Sequence, residues 1–439
     1  MFYLIVQQMK LSISDYDLIS TVTYGITFMF DPLVGSLSDS FSCKMRRTGF
    51  IFVAAFIIPI SYLALLMNVS FEDHTDKIVY IIVVICFYNL GKSFSKAPLT
   101  ALGSEITDED NSWYIAFRTV LYNLGIILGT GTVELVISNS KSYSDEIDAL
   151  GISAVYSAFF MYLCYMAMLI LLEITKKKSR SKQSGFRCSD FYKIFGHFVY
   201  IALVIINLMF QVSNNLVIIN MNQYLKYSVE RDGWLFKCTC ALTGSVVVSP
   251  FLIKKIEKPV GLIKLFLIGT IVYLISLYIM GFWVVKGAIG DALLILSCIM
   301  NGFGVATSYI CIRKIQEIIY ERDKYLGRDR KAIYPAINSS ITRLGYLFTN
   351  KIVAYFLKNS DEFFKHPKQA VFGHEAQKVG RLIIEVMVYI PMALLAFTSI
   401  LISLYTFYKD WYLIDDLKPE KYLHDFKGKD AEKSLGITI

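Results

Sequence analysis

The stretch IVYIIVVICFYNLGKSFSKAPLTAL, residues 78–102, holds two lysines and no acidic residue. Wound as a helix at about 1.5 Å per residue it reaches about 37 Å, more than the roughly 30 Å hydrocarbon core of a bilayer. Similar runs recur on either side. Apolar stretches bounded by polar breaks fall at residues 16–38, 48–68, 78–102, 113–137, 150–173, 196–220, 233–253, 259–281, 289–312, 333–357 and 380–407. One water-soluble core could not bury so many, so the chain reads as an all-α, multi-pass integral membrane protein.

Composition agrees. Of 439 residues 55% are hydrophobic and only 18% charged, with 31 Phe and 29 Tyr, and the mean hydropathy is +0.50. A soluble domain carries more charge than this. The net charge of +8 needs no nucleic acid to explain it, because Lys and Arg cluster in alternate connecting segments, as the positive-inside rule expects. Those segments hold Lys44, Arg46 and Arg47; Lys176 to Lys182; Lys254, Lys255 and Lys258; and Arg313 to Lys331. They are expected on the cytoplasmic side.

The basic segment KKKSRSKQSGFR, residues 176–187, is the strongest linker signal. It divides the chain into an N-terminal helical half (1–175), a cytoplasmic linker (176–195), a C-terminal half (196–407) and a cytoplasmic tail (408–439). The opening MFYLIVQQM is apolar but too short to span, and reads as the end of a truncated first helix, a short interfacial segment being the other reading. No cleavable signal peptide is expected. The eight cysteines show no metal-ligand spacing and read as small apolar residues; Cys238 and Cys240 form only a CxC. No metal is expected. Without a nucleophile triad, metal cluster or phosphate loop, the chain does not read as an enzyme.

Ionisable side chains deep inside spans are costly and mark function. Six stand out: Asp31, Lys92, Lys96, Arg118, Glu134 and Arg343. Lys92 and Lys96 lie one turn apart with Tyr88 on the same stripe. Like charges so placed repel, and an anionic solute group would relieve them; snorkelling, or structural pairs such as Asp31 with Lys96 or Arg118, is the plainer alternative. Lys96, Arg118 and Arg343, with Lys92 and Tyr88, are therefore candidates for solute recognition. Gln211, Asn214 and Asn215, with Asn207 and Ser213, form a mid-span polar string that could bind solute hydroxyls or bond across helices.

Four motifs carry a resemblance. FDPLVGSLSDSFSCKMRR, residues 30–47, resembles the loop motif of the major facilitator superfamily, with Gly35, Asp39, Arg46 and Arg47 at the matching positions. The Asp-Pro followed by xxG is similar to the glycoside-pentoside-hexuronide cation symporters, the melibiose-carrier branch. KAPLTALGSEITDED with AFR (96–110, 116–118), FQVSNN (210–215) and GRDRKAIYPAINSSITRLG (327–345) resemble further helices and loops of that branch. The resemblance implies two six-helix halves, alternating access, and sodium- or proton-coupled symport of a sugar or sugar acid, with Asp31 as the coupling residue and Gly35 to Arg47 as a conformational loop. No cofactor other than the coupling ion is implied.

Departures from the branch accompany it. Thr27 stands one turn before the Asp-Pro, where the branch carries a second carboxylate. Lys96 replaces an acid, and Arg343 replaces a lysine. Lys96 as a fixed charge would permit weakly coupled or uncoupled transport. The same branch includes lysophospholipid transporters, so an anionic amphiphile is a second solute class, and a receptor or scaffold that no longer transports is the reading from another class. The expected partners are a small solute, anionic in one of these readings, and the lipid bilayer, the expected state a monomer, and the location a plasma or internal membrane.

Overall fold

The computed structural model describes residues 11–40, 46–66, 73–106, 125, 143–174, 198–231, 233–283, 287–325, 333–360 and 374–407. Among these there is no strand. Twelve α-helices follow one another: α1 Ile13–Thr27, α2 Phe30–Ser40, α3 Arg46–Leu66, α4 His74–Ile106, α5 Tyr143–Ile174, α6 Phe198–Gln223, α7 Leu235–Val260, α8 Leu262–Phe282, α9 Ala288–Tyr325, α10 Ile333–Leu357, α11 His374–Ile384 and α12 Ile390–Phe407. A π-helical turn, Tyr224–Ser228, extends α6, and another, Glu385–Tyr389, joins α11 to α12.

Nine described segments are long and apolar enough to cross a membrane, α1 with α2 and α11 with α12 each counting as one. Helix α10 coincides with the expected span 333–357. It falls outside the nine because Asn338, Ser339, Ser340, Arg343, Asn350 and Lys351 dilute its apolarity. The expected span 113–137, the opening residues 1–10, the linker and the tail lie outside the described residues.

Burial is the inverse of a soluble protein's. Ile60, Tyr156, Phe159, Phe160, Ile289 and Tyr355 are exposed, whereas Asp31, Asn207, Gln211, Asn215, Asn301 and Asn350 are buried. In hydrocarbon the outside must be apolar, and polar side chains can be satisfied only between helices.

Several boundaries differ from the sequence expectation, among them an earlier start of α5 at Tyr143 and of α11 at His374. The span expected at 16–38 is two helices, broken at Phe28 and Met29. Helix α7 runs on to Val260 and turns directly into α8 through Gly261, whose φ of 85° suits glycine. Helix α9 continues past 312 to Tyr325. Lys254, Lys255, Lys258, Arg313 and Lys314 therefore sit on helices rather than in loops. Beyond the apolar stretch Lys314 Nζ pairs with Glu257 Oε2 at 2.5 Å, tying α9 to the end of α7.

Helix α10 packs along α1 and α2 as well as along α6, so it joins the early and late parts of the chain. Glycines let neighbouring helices close up: a Cβ on Gly302 of α9 would lie 2.2 Å from the Leu242 carbonyl of α7.

Candidate functional site

The break after α1 originates in Pro32. Proline has no amide hydrogen, so the Phe28 carbonyl four residues earlier loses its helical donor. Ser340 Oγ of α10 donates to that carbonyl instead, at 2.8 Å. One residue earlier, the Thr27 carbonyl accepts from Arg343 Nη1 at 3.0 Å. The Asp-Pro kink thus turns backbone acceptors toward α10.

Asp31, in the first turn of α2, faces the same guanidinium. Arg343 Nε donates to Asp31 Oδ2 and Nη2 to Oδ1, both at 3.0 Å. Nη2 also reaches the Asn89 carbonyl at 2.9 Å and Ser93 Oγ at 2.6 Å, both on α4. The Asp31 side chain is 0% exposed and that of Arg343 9%. Three parts of the bundle meet in one bidentate, fully buried ion pair, the arrangement that makes a buried charge tolerable.

Beside it lies an uncharged cluster. Asn207, Gln211, Asn214 and Asn215 are buried on α6, spaced by turns so that they share a face. Gln211 Oε1 accepts from Tyr309 Oη of α9 at 3.0 Å, and Asn214 Nδ2 donates to that hydroxyl at 3.5 Å. Gln211 Nε2 reaches Asn207 Oδ1 at 3.4 Å, and Asn207 Nδ2 donates to Asn338 of α10. Phe210 meets Tyr273 and Tyr309 edge-on, at 5.9 and 5.4 Å between ring centres. Asn215 Nδ2, and both polar atoms of Asn301 beside Tyr273, have no well-formed hydrogen bond. A Cβ on Gly345 would come within 3.0 Å of Gln211 Cβ and 3.6 Å of Asn215 Nδ2, so glycine there brings α10 against the amides. Buried amides that carry unused donors and acceptors can take up solute hydroxyls at low desolvation cost.

The other candidates distribute as follows. Lys92 places Nζ 4.4 Å above the Tyr88 ring, a cation–π contact along the expected stripe. Lys92 and Lys96 are both exposed on α4. Asp31 was expected to pair with Lys96 or Arg118, if structurally paired at all; the structure gives it Arg343, because α10 lies antiparallel to α1 and the kinked helix presents Thr27 and Asp31 together. Arg343, expected to read solute charge, has that charge neutralised by Asp31. Thr27 contributes its carbonyl, while its buried hydroxyl makes no hydrogen bond. Gly35 is buried in α2; Asp39 lies near the end of α2, and Arg46 and Arg47 open α3, but their side chains lie outside the described residues. Arg118 and Glu134 also lie outside them.

Sequence reading missed Asn89, Ser93, Tyr309, Asn338 and Asn301. Asn89 and Ser93 are one turn apart, a polar pair inside an apolar run that could have been flagged. It also missed the seam between α1 and α10. There Tyr16 Oη donates to Asn350 Oδ1 at 2.5 Å, Lys351 Nζ meets Asp17 Oδ2 at 2.9 Å, and the Tyr24 and Tyr346 rings stack at 5.6 Å.

Comparison with known proteins bears on this arrangement. A family described as MFS/sugar transport protein matches residues 19–409. No curated protein matches the sequence. Among solved structures, a bacterial homologue of the iron transporter ferroportin in an outward-facing state is similar at TM-score 0.60 and 10% identity, covering 89% of each chain. The nucleoside transporter NupG is similar at TM-score 0.58 and 13% identity, over 90% of this chain and 92% of that one.

Proposed function

This chain belongs to the MFS/sugar transport family of the major facilitator superfamily, a multi-pass membrane transporter rather than an enzyme, and from that membership we propose that it carries a small polyhydroxylated solute of sugar or sugar-acid type. The two helical halves, 1–175 and 196–407, rock about the seam between α10 and the α1–α2 pair, exposing the site alternately to each side.

The observation that carries this reading is the amide cluster of Asn207, Gln211, Asn214 and Asn215 with Tyr309, buried in the middle of α6. Solute hydroxyls bond to these amides, and the Phe210, Tyr273 and Tyr309 rings supply apolar platforms for a sugar face. Lys96, with Lys92 one turn before it on α4 and Arg118 further along the chain, favours a solute that carries a carboxylate. Symport driven by a cation at Asp31, as in the melibiose-carrier branch, is the finer form of this reading. Asp31 lends it no geometric support, since both its oxygens face Arg343. A lysophospholipid would need a lateral apolar opening beside the amides.

Uptake into proteoliposomes tests the proposal, comparing a labelled neutral sugar, a sugar acid, a nucleoside and a lysophospholipid. Saturable uptake of a sugar or sugar acid, reduced by Gln211→Leu, supports it. Flux of the nucleoside or the lysolipid alone would replace the solute class, and no flux of any would favour a receptor or scaffold.

A further inference from the structure

The atoms around the Arg343 guanidinium are all oxygens, drawn from three separate helices, α1, α2 and α4. They are two carboxylate oxygens of Asp31, the backbone carbonyls of Thr27 and Asn89, and the hydroxyl of Ser93, at 2.6 to 3.0 Å from its nitrogens. Carboxylate, carbonyl and hydroxyl oxygens converging on one buried point are the donor set that a hard cation takes. Here the point is filled by a cation that is part of the chain.

We propose that Arg343 is a built-in, permanent occupant of this cation site, and that the protein consequently moves its solute without coupling to sodium or protons, as a facilitator or exchanger. The inference rests on the reading of the chain as a carrier. Three features carry it.

Both Asp31 oxygens accept from the guanidinium, so a sodium ion could bind only by displacing Arg343 and leaving a second positive charge in the same buried space. Arginine stays protonated at any physiological pH, so it can neither release a proton nor relay one. Asp31 has both its oxygens engaged in charge-assisted hydrogen bonds to that guanidinium. With Asp31 and Arg343 cancelling each other's charge, the site takes up neither ion, and no ion gradient does work on the solute through it.

The same geometry makes the guanidinium part of the moving seam. Asp31, Thr27, Asn89 and Ser93 belong to the N-terminal half and Arg343 to the C-terminal half. The pair links the two without borrowing a charge from solution.

The test uses the full chain in proteoliposomes loaded and diluted to impose an inward sodium gradient, a proton gradient, or neither. Sugar-type solute should equilibrate at the same rate and to the same level in all three, with internal and external concentrations equal at steady state. One-to-one coupling to a tenfold gradient would instead accumulate solute about tenfold, and such accumulation would overturn the proposal.

A second arm needs no solute. The thermal midpoint of the purified wild type should be the same in sodium and in choline chloride, whereas Arg343→Ala, with Asp31 and the carbonyls uncovered, should be stabilised by sodium. Sodium protection of the wild type that disappears in Asp31→Asn would overturn the proposal, as would a folded Arg343→Ala protein indifferent to sodium. If no tested solute moves, the carrier reading fails by the first arm while the sodium measurement still decides the site's occupant.

Discussion

Arg343 grips both carboxylate oxygens of Asp31 at 3.0 Å from the far end of the chain, and the two side chains are buried from solvent almost completely. A charge in that position is stabilised only by its partner. Removing one member strands the other in a low-dielectric interior, which typically costs about 3–5 kcal/mol, whereas removing both need not.

Arg343→Gln and Asp31→Asn should therefore each lower the thermal midpoint strongly, and the double variant should recover much of the loss. Thermal unfolding of the four proteins in detergent gives the double-mutant cycle. Equal and additive losses would mean that the pair is not coupled as the geometry implies.

The seam pair of Asp17 and Lys351 should behave differently. Its side chains are 33% and 47% exposed, so solvent screens it and its contribution is about 1 kcal/mol or less. Lys351→Gln should shift the midpoint slightly at low salt and not at all at high salt; a large, salt-independent loss would show the pair to be desolvated.

Tyr309→Phe deletes the hydroxyl that donates to Gln211 Oε1 and accepts from Asn214 Nδ2. Leaving these buried amide atoms unsatisfied should cost about 1–3 kcal/mol, read by thermal unfolding. If the cluster binds solute, KM should rise for neutral sugar and sugar acid alike; a rise confined to the sugar acid would place the effect elsewhere.

Gly345→Val places methyl groups where even a Cβ lies 3.0 Å from Gln211 Cβ. Overpacking of this kind costs about 1–3 kcal/mol. The variant should insert in the membrane but lose solute affinity, with Gly345→Ala intermediate. Wild-type uptake by Gly345→Val would show that α10 and α6 separate freely at this level.

Lys96→Glu reverses the charge on the exposed face of α4. Competition uptake with a neutral sugar and its acid should move in favour of the neutral solute. Unchanged selectivity would remove Lys96 from solute recognition.

Much of the architecture was legible in the residues alone. A transmembrane helix satisfies its backbone internally and advertises itself by a local property, about twenty apolar residues in a row. That is why 78–102 or 259–281 could be placed from the sequence. Helix ends were less legible: α7 and α9 run past their apolar stretches, where Glu257 and Lys314 pair between helices, a contact no local pattern announces.

The site divides in the same way. The rule that charges and amides inside a span are rarely idle drew attention to Asp31, Lys92, Arg343, Gln211, Asn214 and Asn215, and it needs only one segment at a time. Which of them meet depends on how α10 lies against α1 and α4, which the packing of all the helices decides. Local reading thus offered Asp31 either Lys96 or Arg118, while the fold gave it Arg343, whose guanidinium also takes the Thr27 and Asn89 carbonyls that have no side-chain signature at all. The sequence by itself determined that this is a bundle of membrane-spanning helices with polar groups inside it. Only the packing of the helices brought Asp31 and Arg343 together so that their buried charges cancel, and set the α6 amides against Tyr309 and Asn338, because electrostatic pairing acts through space between segments far apart in the chain.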